Sequence, residues 1–503
     1  MREGAGKELR KLLDEYAIRI TSIEIQNLRN VKTGHLEMPV HNPNSSASIT
    51  GIYGQNGSGK TSVISAVHMI KVLLSGGRLD QEICRQINIE SQWTGLKFTF
   101  EWIDHNSESK ARILYSCEIG TREEDDEIYP VVFDETIKAS SSIEGLTCKL
   151  QDVLSTAGNA VLSPKRKAIR MIGKTALNST ELIVEREMAR RDSRSFLFSK
   201  WLRAKMNTNE TVDEEGGNQL VDCDPAQYQE TSFFKEVFNR LVQYARKELH
   251  VLTTAHNGML TPDFIPVQMN RQGCSMVIPV GLNGSFEIPL SAAGFEEEAI
   301  KNLNCVLESV VPGLTISMKV LDIHLNQDGQ EVKQVQLVSH KNQKEIPFQY
   351  ESEGIRKIIS VLPLLIGVYN QPQMTAVIDE LDSGIFEYLL GELLQILQEE
   401  GRGQLIFTAH NLRPLEVLSS KSIVFTTTNP ENSFVRMQNI KSDNNLRNVY
   451  YRDIVINEQK EELYRASNTA AIAHAFKKAG KGLMKRAEIW NGDSPEVTRN
   501  LAR

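Results

Sequence analysis

Eight residues, Gly54-Gln-Asn-Gly-Ser-Gly-Lys60-Thr61, constrain this chain more than any other stretch. They satisfy G-x-x-x-x-G-K-[ST], a loop whose glycines let backbone N–H groups close on phosphate oxygens without a β-carbon in the way. The flanks fit: Ile49–Tyr53 is a short strand-like run, and Thr61–Leu74 has helical periodicity. A helix starting at such a loop adds the positive end of its dipole to the anion site. Gly54, Gln55, Asn56, Gly57, Ser58 and Gly59 supply backbone, Lys60 reaches the outer phosphates, Thr61 offers a hydroxyl to Mg2+, and Ser62 follows in the first turn. Strand, phosphate loop and helix in this order predict an α/β domain that takes ATP and Mg2+.

The second half of the site lies far downstream. Thr375-Ala-Val-Ile-Asp379-Glu380 is an apolar strand ending in two acids, and open α/β sheets bind ligands at the C-terminal edges of their strands. Asp379 is the expected Mg2+ partner, and Glu380 is placed to polarise an attacking water as general base. Gln404–His410 (QLIFTAH) is another apolar strand, and its histidine can reach the γ-phosphate or the water. Glu351-Ser352-Glu353-Gly354 opens an apolar helix over Ile355–Tyr369; Ser352 caps it, and the helix start is an anion site. Pro363 inside that helix predicts a kink or a shortened helix.

The rest of the chain carries less chemistry. A helix is expected at 7–17, a strand at Arg19–Leu28, paired antiparallel strands at Leu96–Trp102 and Ala111–Ile119, and a loop or boundary at the acidic run Glu123–Glu127. Leu182–Met206 reads as a basic helical stretch, Asn207–Ala226 as an exposed acidic loop, and Ser232–Leu252 as helical. Strands follow at Ile316–Leu325 and Val332–His340, after a helix at Ile300–Val310. Net charge is −7, so any nucleic-acid surface must be local. The six cysteines form no CxxC and no cluster with histidine, which reads as small buried hydrophobes in a reducing compartment. The charged N-terminus and the lack of an apolar run of 18 residues predict a cytoplasmic chain with no membrane partner.

The order of these motifs resembles the ATP-binding-cassette-type ATPase heads of the SMC, RecF and OLD group. ITSIEIQNLRN and YGQNGSGKTS look like their first strand and phosphate loop, SEGIRK like a variant signature, VIDELDSGIF like Walker B plus D-loop, and FTAHN like the switch histidine. The likeness covers about 19–105 and 300–427, and the middle only by position. It implies a mixed-sheet head with ATP and Mg2+ sandwiched between two copies. Lys60, Asp379, Glu380 and His410 then act in cis, Ser352 and Gly354 approach the nucleotide of the opposing copy, and Asp382 works at the seam. A glutamine after the first helix ligates Mg2+ in these families, and both Gln86 and Gln92 are open to that role.

The expected domains are an N-terminal helix (1–18), the first half of the head (19–120), a mostly helical insertion (121–299), the second half (300–430) and a C-terminal extension (431–503). Small heads without long coiled coils resemble the ATPase subunits of the PARIS and Septu antiphage systems. There a homo-oligomer of the ATPase controls a separate effector nuclease, of Toprim or HNH type. Two other functions compete. An OLD-type nuclease needs a Toprim domain, and the stretch after His410 is too short and holds no D-x-D; Asp222-Cys-Asp224 lies in the acidic loop. A RecF-like repair factor needs a DNA contact, which the tail 465–503 offers with eight Lys/Arg against three Asp/Glu.

Overall fold

The computed structural model describes residues 16–39, 46–103, 110–143, 146–157, 161–207, 225–253, 264–271, 274–281, 284–290, 295–341, 344–437, 445–456, 461–464 and 468–479. The strands are β1 (Ala17–Leu28), β2 (Val31–Glu37), β3 (Ser48–Tyr53), β4 (Trp93–Ile103), β5 (Lys110–Glu124), β6 (Glu127–Ser141), β7 (Cys148–Ser155), β8 (Leu249–Leu252), β9 (Phe264–Arg271), β10 (Cys274–Gly281), β11 (Ser285–Pro289), β12 (Leu314–Leu325), β13 (Glu331–Lys341), β14 (Lys344–Pro347), β15 (Thr375–Ile378), β16 (Gln404–Thr408), β17 (Ile423–Thr426) and β18 (Phe434–Val435). The helices are α1 (Lys60–Leu74), α2 (Lys165–Ile172), α3 (Lys174–Leu177), α4 (Thr180–Arg191), α5 (Lys200–Asn207), α6 (Pro225–Gln243), α7 (Phe295–Val310), α8 (Glu353–Asn370), α9 (Glu387–Glu400), α10 (Pro414–Val417) and α11 (Leu446–Ile456).

Two sheets sandwich α1. One is antiparallel, in the order β2-β1-β4-β5-β6-β7. The other runs β18-β17-β3-β16-β15-β8, with β17, β3, β16, β15 and β8 parallel and β18 antiparallel. The parallel strands are apolar on both faces because both faces are covered. Ile52, Val377, Ile406 and Val424 pack with α1 and the antiparallel sheet. Their neighbours Tyr53, Ile378, Phe407 and Phe425 pack with α8 and α9 on the other side. Gln404 fastens the two sheets: its amide accepts from Ile20 N at 2.9 Å and donates to Ile20 O at 2.7 Å. A smaller sheet, β11-β13-β12 with β14 on β13, flanks α7 and α8.

The mixed α/β architecture is as expected, but the middle of the chain is not mostly helical. Among the described residues, 121–299 holds β6 to β11 as well as α2 to α6. Of the two readings of the acidic run, loop or boundary, the loop holds: it is a hairpin turn in which Asp125 and Asp126 take φ of 53° and 62° and Glu124 pairs with Glu127. Positive φ at both central residues matches the twist of the flanking strands, and Asp tolerates it. The antiparallel sheet therefore continues past residue 120 through β7. Helical periodicity over Ser232–Leu252 also fails at its end, where β8 joins the parallel sheet beside β15. The helix expected at 7–17 lies mostly outside the described residues; Ala17 and Ile18 already belong to β1. The loop expected at Asn207–Ala226 falls mostly outside them too. The described residues from Phe434 to Tyr450 join the head, since β18 edges the parallel sheet and Tyr450 of α11 stacks on Phe425 at 4.8 Å. Pro363 does not shorten α8, which runs 18 residues. Burial of Leu362, Leu364 and Leu365 outweighs the roughly 3 kcal/mol that proline costs a helix interior.

Candidate functional site

Parallel pairing brings the site together. Thr375–Ile378 lies in register with Gln404–Phe407, and Gln404–Thr408 with Ser48–Ile52, so β3, β15 and β16 end at one edge. From that edge emerge the phosphate loop, Asp379-Glu380 and His410.

The loop needs its glycines. Gly54 and Gly59 take φ of 152° and 102°. A β-carbon on Gly54 would stand 1.8 Å from Thr426 Oγ1, and one on Gly59 2.7 Å from Val31 Cγ2. Gly57, at φ 80°, faces open space. Gly59 is the N-cap of α1 and offers no side chain, and α1 has no acid in its first turn. Its leading N–H groups are thus left for an anion. Ser58 Oγ donates to Gln55 O at 2.6 Å and is in short contact with the Thr426 hydroxyl. Lys60 is 7% exposed, and its Nζ donates to Gly54 O at 2.8 Å and Gln55 O at 3.1 Å. Burial lowers its pKa, while Asp379, Glu380 and Asp382 pull it back up.

Asp379 is buried, and its Oδ1 accepts from Thr408 Oγ1 at 2.6 Å. The same hydroxyl oxygen accepts from Glu380 N at 2.8 Å. Glu380 holds φ at 47°, a left-handed conformation that a non-glycine residue keeps only when its surroundings enforce it. Asp382 Oδ2 accepts from the backbone N–H of His410 at 2.9 Å and of Asn411 at 2.6 Å. Asp382 therefore fixes the turn that carries the exposed histidine. Ser352 caps α8, accepting from Ile355 N at 3.4 Å. Gly354 lies against the D-loop: a β-carbon there would stand 2.5 Å from Gly384 O.

Three residues at the site were given no role from the sequence, although Arg29 and Lys357 lie inside the quoted ITSIEIQNLRN and SEGIRK segments. Lys357, 2% exposed on α8, donates to Asp379 O at 3.4 Å; burial lowers its pKa against the pull of Asp379, Glu380 and Asp382. The signal was a lysine on the apolar face of a helix. Arg29 follows β1 at φ 54°; burial lowers its pKa and Asp379 raises it. Thr426 closes β17 onto the loop through Ser58, and donates to Tyr53 O at 3.2 Å. The two glutamines also separate. Gln86 O accepts from Arg29 N at 2.6 Å, and its Oε1 is buried without a partner. Gln92 is exposed beside Gly120.

These residues fit ATP with Mg2+. The loop is a cradle that β-carbons would fill, the orphan oxygen of Gln86 awaits a donor or cation, and Asp379 and Thr61 are the hard oxygen ligands Mg2+ prefers. No group of three or more His, Cys, Asp or Glu able to hold a metal occurs among the described residues. No described helix is long and apolar enough to cross a membrane.

No curated protein matches the chain. Among solved structures, an Smc head bound to the C-terminal winged-helix domain of ScpA is similar at 11% identity and TM-score 0.37, over 84% of this chain and 98% of that one. The Smc head with an extended coiled coil from Pyrococcus furiosus aligns at 10% identity and TM-score 0.37, over 88% and 100%. The SMC head of Thermotoga maritima gives 11% and 0.32, over 84% and 100%. A family model described as an AAA domain, AAA_23, matches residues 22–128, the segment that holds the phosphate loop.

Proposed function

We propose that this chain binds ATP with Mg2+ and hydrolyses it slowly, and that each site is completed when two copies meet face to face. The observation that carries this is Lys60, at the start of α1, lying within electrostatic reach of Asp379, Glu380 and Asp382 at one sheet edge. Lys60 and the loop N–H groups hold the phosphates. Thr61, Asp379 and Gln86 are the residues that would hold Mg2+, whose charge offsets that of the outer phosphates. Glu380 takes the proton of the attacking water, and His410 is offered to the γ-phosphate or to that water. Ser352 and Gly354 are offered to the nucleotide of the opposing copy. Glu380→Gln is expected to retain ATP binding, lose turnover and trap a dimer, read by light scattering. Normal hydrolysis by that variant would sink the assignment of the base.

For its role we propose a sensor and scaffold ATPase of an antiphage system, controlling a separate Toprim or HNH nuclease. Support comes from the helices: the longest named one, α6, has 19 residues, so no coiled-coil arm extends from the described part. Phage plating on cells carrying the intact locus, with and without Lys60→Ala, tests it; equal plating in all cases overturns it. The alternative, a RecF-like DNA binder, draws on helical residues 469–479, which are exposed throughout and hold Lys477 and Lys478. DNA affinity falling steeply with salt would favour it.

A further inference from the structure

We propose that β12 is a self-association edge, at which two copies of this chain pair their β12 strands antiparallel about a twofold axis without nucleotide. β12 is 12 residues long and pairs only with β13 among the described strands; Asn304 of α7 bonds Ile316 N and O at 2.8 Å and Asp322 Oδ1 accepts from Ile323 N at 2.8 Å, and the rest of its outer edge offers N–H and C=O groups to a second strand. That edge is apolar: Val320, Leu321, Ile323 and Leu325 are 49%, 48%, 57% and 64% exposed. Long apolar edges are covered in stable proteins, because a bare one templates pairing with other chains. Beside this edge, Ile316, Met318 and Val320 line an open cleft of about 470 Å3 under α7.

The sequence of β12 complements itself. Its pairing with β13 shifts between Val320 and Asp322, so Leu321 is the extra residue of a bulge. Centring the twofold axis between Val320 and Leu321 sets bulge against bulge, and the two faces stay matched. On the cleft face, Met318 then meets Ile323 of the second copy, and the pairing stops short of Ile316, which Asn304 holds; Ile323 belongs to that face because it lies opposite Lys333 of β13. On the outer face, Ser317 meets His324, and Lys319 meets Asp322. Lys319 and Asp322 are 54% and 65% exposed. Lys319 also pairs with Glu345 at 2.6 Å, and Asp322 lies 3.7 Å from His324. Charges on the outer face of an edge strand disfavour pairing with neutral strands, yet here each charge faces its opposite in the second copy, and opposite charges across a strand pair stabilise it. Charge complementarity thus selects a second copy as the occupant. The ATP sandwich is a separate contact, so this pairing stands whether or not the chain hydrolyses ATP.

Sedimentation velocity of the nucleotide-free full chain tests the pairing. Wild type and Lys60→Ala are expected to dimerise alike. Lys319→Asp and Asp322→Lys each set like charges opposite one another at both ends of the twofold, which should weaken the dimer roughly tenfold. Mixing the two variants restores complementary pairs and should return a heterodimer of near wild-type affinity, which no general misfolding defect would do. Ile323→Lys should weaken dimerisation without rescue by mixing. A nucleotide-free monomer overturns the proposal and leaves the edge to an extended segment of another protein. Single variants that dimerise normally, or a mixture that stays monomeric, overturn it as well.

Discussion

Two buried carboxylates of this molecule do opposite things, and their surroundings say why. Glu135, on β6, is enclosed by neutral donors. Its Oε1 accepts from Tyr115 OH at 2.6 Å and from the Ser195 hydroxyl, and its Oε2 accepts from Phe196 N at 2.8 Å and Leu197 N at 3.2 Å. Burial raises its pKa and these bonds lower it, so the group is a fastener between the sheet and the α4–α5 connection. Asp379 is equally buried, but cations surround it: Lys60, Lys357 and Arg29 all feel its charge. It stands at a sheet edge next to a glycine loop that leaves room for an anion. A carboxylate satisfied by fixed neutral donors holds structure, whereas one set among cations around an anion cradle is arranged for phosphate chemistry.

The sharpest way to break this contrast is to remove a cation from one site and the acid from the other. Lys60→Ala should abolish nucleotide binding, measured with a fluorescent ATP analogue, and leave the thermal midpoint nearly unchanged, because Lys60 bonds only its own loop carbonyls. Glu135→Ala should do the reverse. It strands two hydroxyls and two backbone N–H groups in the core, and a buried donor left without its acceptor costs about 1–3 kcal/mol. With four donors stranded, a total loss of at least about 4 kcal/mol is expected from denaturant unfolding, with ATP turnover per folded molecule unchanged. Comparable loss of turnover in both variants would erase the distinction.

The same contrast explains what the sequence made legible. Phosphate loops and acid-ended strands are local patterns, because backbone N–H groups and strand ends must converge on one ligand, so Gly54–Thr61 and Asp379-Glu380 could be read directly. A mixed sheet was expected around them, and the parallel pairing of β3, β16 and β15 is what brings them to one edge. Glu135 was invisible, since its four donors come from residues 115 to 197 and no spacing announces them. Helical periodicity misled at Ser232–Leu252, where a four-residue strand ends a helix and tertiary pairing with β15 decides the outcome. The acidic run left loop and boundary open because charge and turn chemistry use the same residues; the positive φ of Asp125 and Asp126 and the pairing of Glu124 with Glu127 decide for the loop. Gln86 and Gln92 were indistinguishable by type, and burial separated them.

Lys357 sharpens the comparison further, as a positioning residue rather than one that touches nucleotide. It links the signature helix to the acid turn through Asp379 O. Lys357→Met keeps the stem's packing and removes the charge. Turnover should fall about tenfold, the loss expected from misplacing a catalytic acid, with ATP affinity within about threefold of wild type. A drop in affinity that matches the drop in turnover would instead place Lys357 among the ATP-binding groups.

The smallest effect extends the contrast to the cations of α1. Lys60 and Lys71 sit on one helix, and burial lowers the pKa of both. Three carboxylates oppose that shift at Lys60, and no described carboxylate opposes it at Lys71, whose pKa falls to about 8. Near Lys71, His250 is pushed down to about 4 by burial and by the Lys71 charge, so it is neutral at pH 7. A lysine whose folded pKa is depressed destabilises the fold while both states are protonated. Between about 8 and its unfolded value of 10.5 the unfolded chain binds more protons, so stability rises with pH across that window. Lys71→Met should therefore raise the thermal midpoint at pH 7 by about a degree or two, and flatten the rise above pH 8. Nucleotide binding should be untouched. A midpoint that falls instead would mean that Lys71, like Lys60, is held by an anionic partner.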